Sequence, residues 1–183
     1  MKFINVLLIS SLMFSFCNLA VAGDSVPFDT YGSAVAGEPV DPDWVDYCES
    51  EGFDTGFQGS RIGTATHLGF YTATERGCLD FSLFPIVQSR NIESTLIAAN
   101  GDELYYIAEA DFNFLNPPEI IWGVFEFVGG TGRFKNSTGG GEVQDIGVGD
   151  SGAVLRLVGA ITYNASDPVS YTHLTLPTMR LRC

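Results

Sequence analysis

Histidine and basic residues are what this chain has least of. Two histidines, His67 and His173, occur among 183 residues, and His173 falls in a terminal stretch set aside below. A single histidine rules out a multi-histidine metal site and a histidine-based nucleophile triad, although it could still move a proton. No Cys-x-x-Cys occurs, and Cys17, Cys48, Cys78 and Cys183 stand far apart, which argues against a thiolate metal or redox pair. Nine Lys and Arg face 22 Asp and Glu, for a net charge of −13. Such a field repels phosphate backbones and anionic lipid, so nucleic acid is not an expected partner. No stretch keeps a sustained helical period.

The two ends read differently from the middle. Met1-Lys2, an apolar stretch from Phe3 to Leu12 and beyond, and the small-x-small exit Ala20-Val21-Ala22 make a secretory signal peptide over residues 1–22, with cleavage expected after Ala22. The apolar core is short and leads straight to Asp24, against a retained membrane anchor. Bulky Phe16 disfavours lipidation at Cys17. At the other end, residues 169–183 (VSYTHLTLPTMRLRC) contain no acid. Val169 to Thr178 resembles the translation of a transposon-based sequencing adapter, so this segment is read as a non-native tail.

Between these ends all 22 acids meet six bases, an excess of sixteen that suits an extracytoplasmic protein, secreted or periplasmic, with no membrane association after cleavage. Cys48 and Cys78 are the cysteines left, and in an oxidising compartment they are expected to form a disulfide.

Residues 23–50 read as an acidic N-terminal arm, and 51–168 as one β domain. From Asp24 to Asp54 there are nine acids and no base, interrupted by Pro27, Pro39 and Pro42. This predicts irregular structure with at most one strand, near Trp44 to Cys48. Its carboxylates match no calcium loop and read as solvated. Seven segments then carry β-branched and aromatic residues: Phe57–Thr66, Phe70–Phe81, Ile92–Ala99, Glu103–Phe114, Glu119–Val128, Gly141–Ile146 and Ala153–Tyr163. Asn100-Gly101 is a hairpin signal, and Asn116-Pro117-Pro118 and Gly147 to Asp150 break later connections. The order is that of an antiparallel meander. In Glu103–Phe114 the even positions are apolar and the odd ones include Glu103, Glu109 and Asp111, so one face is buried. In Glu119–Val128 both faces are apolar apart from Glu126, which predicts a second covering layer or subunit.

The run FVGGTGRFKNSTGGGEV, residues 127–143, has the look of a phosphate-binding glycine loop. A dinucleotide loop must open a helix within a parallel βαβ unit, which KNSTGGGEV cannot do, and no Gly-Lys-Ser/Thr closes it as a P-loop would. Gly129, Gly130, Gly132 and Phe134 are therefore read as turn and packing positions between strands.

That motif, Val128 to Gly141, with GTATHLG at 63–69 and ITYN at 161–164, resembles the dirigent and allene oxide cyclase barrel superfamily, especially its small secreted bacterial relatives, over about residues 57–164. The resemblance implies an all-β fold, an eight-stranded antiparallel up-and-down, calycin-like β-barrel around a ligand-sized interior, often assembled as a homotrimer. It carries over turn and packing positions, not catalytic ones.

No metal or cofactor is expected. Glu126 shares a strand face with Trp122 and Val124, a setting that can equip a carboxylate for proton transfer, and it is the leading catalytic candidate with Glu109 second. An outward carboxylate meeting Arg133 or Arg156 explains Glu126 as well. Tyr105, Phe112, Trp122 and Phe125 are expected to line a partly open apolar lumen, with Glu126 or Glu109 as its polar anchor. His67 is read as a turn residue with a structural hydrogen bond. The functional classes, in order, are a barrel that binds an apolar small molecule without chemistry, a cyclase-like or coupling enzyme, and a structural or surface-interaction module.

Overall fold

Alternation of inward apolar and outward polar side chains, interrupted at regular intervals by turns, produces a single sheet that closes on itself. The computed structural model describes residues 24–35, 39–115, 119–149 and 152–164. The signal peptide, Cys17, the tail over 169–183 and Cys183 lie outside the described residues. The elements are β1 (Val26–Val35), α1 (Pro42–Ser50), β2 (Thr55–Ala65), β3 (Gly69–Asp80), β4 (Ile86–Ala98), β5 (Glu103–Asn113), β6 (Glu119–Gly130), a 3-10 turn (Gly132–Phe134), β7 (Thr138–Gly149) and β8 (Gly152–Thr162). The strands form a closed antiparallel barrel in chain order, β1 to β8. Among the described residues no helix is long and apolar enough to cross a membrane.

The stretch expected to be an irregular arm is built otherwise. Val26–Val35 is a barrel strand, paired with β2 from Thr30 to Val35 and with β8 from Val26 to Ser33, so the barrel begins at Val26 and not at residue 51. Pro27 is compatible with this because it precedes the β2 pairing, where its missing N–H breaks no ladder bond. Trp44 to Cys48 is helix and not strand. Asp41 caps it by accepting from the Asp43 N–H at 3.0 Å, and Pro42 sits at the first helical position, where proline starts a helix instead of breaking one.

Helix α1 lies on the outside of β2 and β3. Trp44 and Cys48, one turn apart, form its buried stripe. The Trp44 indole donates to the Gly77 carbonyl at 3.0 Å, and Cys48 is disulfide-bonded to Cys78 with a Cα–Cα distance of 5.4 Å.

The barrel has two unlike ends. Where β1 begins, Phe28, Phe127, Leu104, Ile161 and Phe134 are fully buried and fill the interior; Phe28 meets Phe127 edge-on at 4.8 Å and Phe125 tilted at 6.2 Å. The glycine run seals this end. Gly129 and Gly132 hold positive φ, +120° and +51°, so the chain folds back over the barrel and delivers Phe134 into it. A Cβ on Gly130 would stand 2.1 Å from the Glu103 carbonyl oxygen.

Bulges reset which side chains face in. In β6, Ile121 is an extra residue between Trp122, opposite Asp111, and Ile120, opposite Phe112. Ile120 therefore packs on the core, while Ile121 and Trp122 are exposed. Among the described residues no second layer covers β6: Trp122, Val124 and Val128 are exposed on its outer face.

The disulfide closes a loop with a sequence separation of 30, so replacing Cys48 and Cys78 together by alanine should cost about 3 to 4 kcal/mol in urea unfolding. Mass analysis without reductant should find no free thiol in protein trimmed to residues 23–168 and made in an oxidising host; two alkylatable cysteines would overturn the assignment.

Candidate functional site

Inward-facing positions on β2 are Phe57, Gly59, Arg61, Gly63 and Ala65, and on β3 Tyr71, Ala73, Glu75 and Gly77. Each series is small or apolar with one charge in it. The register places Gly59 opposite Glu75 and Arg61 opposite Ala73, which makes Arg61 and Glu75 diagonal neighbours on one face. Their side chains meet inside the barrel at 2.9 Å. Arg61 is 2% exposed, and the same Nη2 also donates to the Tyr106 hydroxyl from β5.

Burial opposes the charge on Arg61, but the Tyr106 and Glu75 oxygens more than offset it, and the guanidinium pKa stands above its ordinary value. It is a fixed cation. Burial also pushes the Tyr106 hydroxyl up, despite the opposing pull of Arg61. Tyr106 is therefore neutral at ordinary pH, with its oxygen accepting from Arg61 and its own proton left to donate. Beside this set, the Thr30 hydroxyl donates to Tyr71 at 2.8 Å and the Ser94 hydroxyl to the Thr74 carbonyl at 3.2 Å. A Cβ on Gly32 would lie 2.3 Å from the Tyr71 hydroxyl oxygen, so glycine there makes room for the tyrosine. Arg61 Nε and Nη1 have no hydrogen-bond partner in the protein, an unusual condition for buried donors.

Beyond this polar layer, toward the end where β5 finishes, the barrel keeps a cavity of about 110 Å³. Phe57, Ile92, Phe112 and Leu155 form part of its wall, and Glu75, Tyr106 and Ser89 supply its polar atoms. The Ser89 hydroxyl is buried without a partner. The arrangement can hold a small apolar body and offer one end of it a hydroxyl, a carboxylate and a phenol.

The residues expected to line the lumen divide. Phe125 is buried inside and Phe112 lines the cavity. Tyr105 lies outside, bonded to Glu103, and Trp122 is outside near Arg90 at 5.9 Å. Glu126 and Glu109 are exposed on the outer face, so neither anchors the lumen; with Ile107 and Val124 they flank a surface groove of about 830 Å³. Glu109 stands 3.8 Å from Arg90. Arg133 and Arg156, expected partners of Glu126, pair instead with Asp102 and Asp29. His67 takes positive φ, and its Nε2 donates to the Pro27 carbonyl at 2.9 Å while Nδ1 accepts from Tyr163 at 3.1 Å. Among the described residues, no three His, Cys, Asp or Glu side chains converge to hold a metal ion.

Sequence reasoning missed Arg61, Glu75, Tyr71, Tyr106 and Ser89 as a set. The available signal was a single charge at an inward position of two adjacent, otherwise small or apolar strands. No protein-family model matches the chain, and no curated protein matches it.

Arg61→Met would leave Glu75 without its cation and should destabilise the barrel by about 3 kcal/mol or more, while adding Glu75→Gln should restore much of that loss. Urea melts of the single and double variants decide; a single variant within about 1 kcal/mol of wild type would sink the pairing argument. Because Tyr106 has a raised pKa in the folded state, its contribution to stability is complete below about pH 10, the unfolded tyrosine value, and is lost as pH rises through the folded one. Stability measured from pH 9 upward should fall more steeply in wild type than in Tyr106→Phe. Tyr105, also raised through Glu103, is unchanged between the two proteins and cancels.

Proposed function

We propose that this protein is an exported β-barrel that binds a small apolar molecule carrying one hydrogen-bonding group, and holds it without chemistry. The observation that carries the reading is the cavity of about 110 Å³ whose apolar wall ends on the unpartnered Ser89 hydroxyl beside Glu75 and Tyr106. An apolar cavity of about 150 Å³ takes up benzene, and at about 110 Å³ this seat suits a body no larger than one ring. Export is supported by the signal-like N-terminus and by a disulfide, which persists in oxidising compartments. The acidic surface disfavours nucleic acid. The exposed outer face of β6, with Trp122, Val124 and Val128, suits self-association, in keeping with the trimers that the dirigent and allene oxide cyclase resemblance implies.

A cyclase-like or isomerase reading is favoured by one observation, the joining of Glu75 and Tyr106 through Arg61 at the cavity wall. A carboxylate and a neutral phenol side by side at one end of a bound molecule are a base and an acid.

Phenol and benzene separate these readings. At a hundred times its dissociation constant a ligand adds about 2.7 kcal/mol to stability, so phenol should raise the melting temperature by several degrees, benzene by less, and Ser89→Ala with Glu75→Gln should erase the difference. Absence of any shift and of any NMR perturbation for both compounds would remove the binding reading. Conversion of a bound phenol, lost in Glu75→Gln, would replace it with the enzyme.

A further inference from the structure

The barrel wall is not equally closed all round. Ten residue pairs join β5 to β6 and eleven join β7 to β8, yet β6 and β7 are joined by three, Val124 with Glu142, Phe125 with Gly141 and Glu126 with Gly140. Continuing that register would set Ile121 opposite Asp145. Each is a bulge position: Ile121 is an extra residue of β6 against β5, as Val128 is nearer the other end of that strand, and Asp145 is the extra residue of β7 against β8. A bulge bends its strand and ends local pairing. Two bulges facing each other end the regular β6–β7 ladder beyond Val124 and Glu142, although Gly123 and Val143 still pack closely.

Over this stretch lies an outer cleft of about 340 Å³, lined by Ile120, Ile121, Trp122 and Val143, with Glu142 and Gln144 as its polar side chains. Ile120 and Val143 also line the inner cavity, so two side chains separate cleft from cavity. The polar atoms of the cavity come from β3, β4 and β5, a different part of the wall. At the lip, Ile121 is 51% and Trp122 45% exposed. These are large apolar side chains left in water beside a cavity too small for more than about one ring.

We infer that the parted β6–β7 seam is the second half of the ligand site, and that the ligand is an elongated, hydroxyl-bearing apolar molecule. Its polar end sits at Ser89, Glu75 and Tyr106, and its hydrocarbon chain passes between Ile120 and Val143 into the cleft against Ile121 and Trp122. This rests on the binding reading above and adds to it the class of ligand and the side of the barrel from which the chain emerges.

A series of 4-n-alkylphenols from phenol to octylphenol, titrated by calorimetry and by tryptophan emission, tests it. Each methylene that enters the cleft should tighten binding about threefold to fourfold, from the transfer free energy of a buried methylene, until the chain outgrows the cleft and the gain stops. Ile121→Asp, at a half-exposed position that folding does not depend on, should leave phenol affinity within twofold of wild type and weaken octylphenol at least tenfold. Leu83→Asp, exposed in the β3–β4 connection at the same end of the barrel but away from the seam, should change neither. If phenol binds but lengthening the chain gains nothing, or if Leu83→Asp and not Ile121→Asp removes the gain, the seam is not the chain's path and this inference falls while the binding reading stands. If no member of the series binds, both fall together.

Discussion

Pairing of β1 with β8 is the constraint on which everything else rests. Eight residue pairs, from Val26 with Ile161 to Ser33 with Val154, join the first strand to the last and turn a meander into a barrel. A closed sheet has no unpaired edge to template aggregation. It also creates an inside, and only within an enclosed, water-poor interior do Arg61, Glu75 and Tyr106 become a site instead of a surface ion pair. Helix α1 stays outside this frame, held to β2 and β3 by Trp44 and the Cys48–Cys78 bridge, and leaves the lumen to the strands.

The distribution of charge follows the same division. Outside, the arginines are each paired with acids: Arg76 with Glu93, Arg90 with Asp111, Arg133 with Asp102 and Arg156 with Asp29. These pairs are at least partly hydrated and contribute little each; what they leave is a surface of unpaired carboxylates that keeps the protein dispersed. Inside, one cation suffices. Arg61 is held by Glu75 and Tyr106 yet retains two donors without partners, a condition tolerated because the surrounding strands determine its position so completely.

Closure at β1–β8 and looseness at β6–β7 belong together. A small barrel fully paired on every side is either solid or sealed, whereas one parted seam gives the interior a side opening at little cost, because the remaining pairings hold the frame. The binding seat, with its polar wall on β3 to β5, needs only the enclosed interior; the proposed outlet needs in addition the short β6–β7 pairing, which ends where Ile121 and Asp145 are extra residues.

The segmentation into strands was legible from turn chemistry and β-branched runs, because those signals are local: Asn100-Gly101 does separate β4 from β5, and the even positions of β5 do face inward. The antiparallel order, the pairing of Cys48 with Cys78 and the turn character of residues 129–134 could be argued the same way. The first strand was hidden by Pro27 and a dense acidic context, and α1 by a proline that starts a helix as readily as it breaks a strand; each ambiguity is settled by pairing partners more than a hundred residues away or by Asp41 capping. Glu126 and Trp122 were placed inward because both faces of β6 are apolar, so alternation within the strand could not say which face is inside; the packing of Phe125 and Phe127 in the core decides it, and the bulge at Ile121 turns Ile120 inward as well. The site was least legible of all. Arg61, Glu75, Ser89 and Tyr106 come from four strands, so composition and period determined that a barrel forms with one buried face per strand, while only the tertiary register decided which polar groups that shared interior brings together.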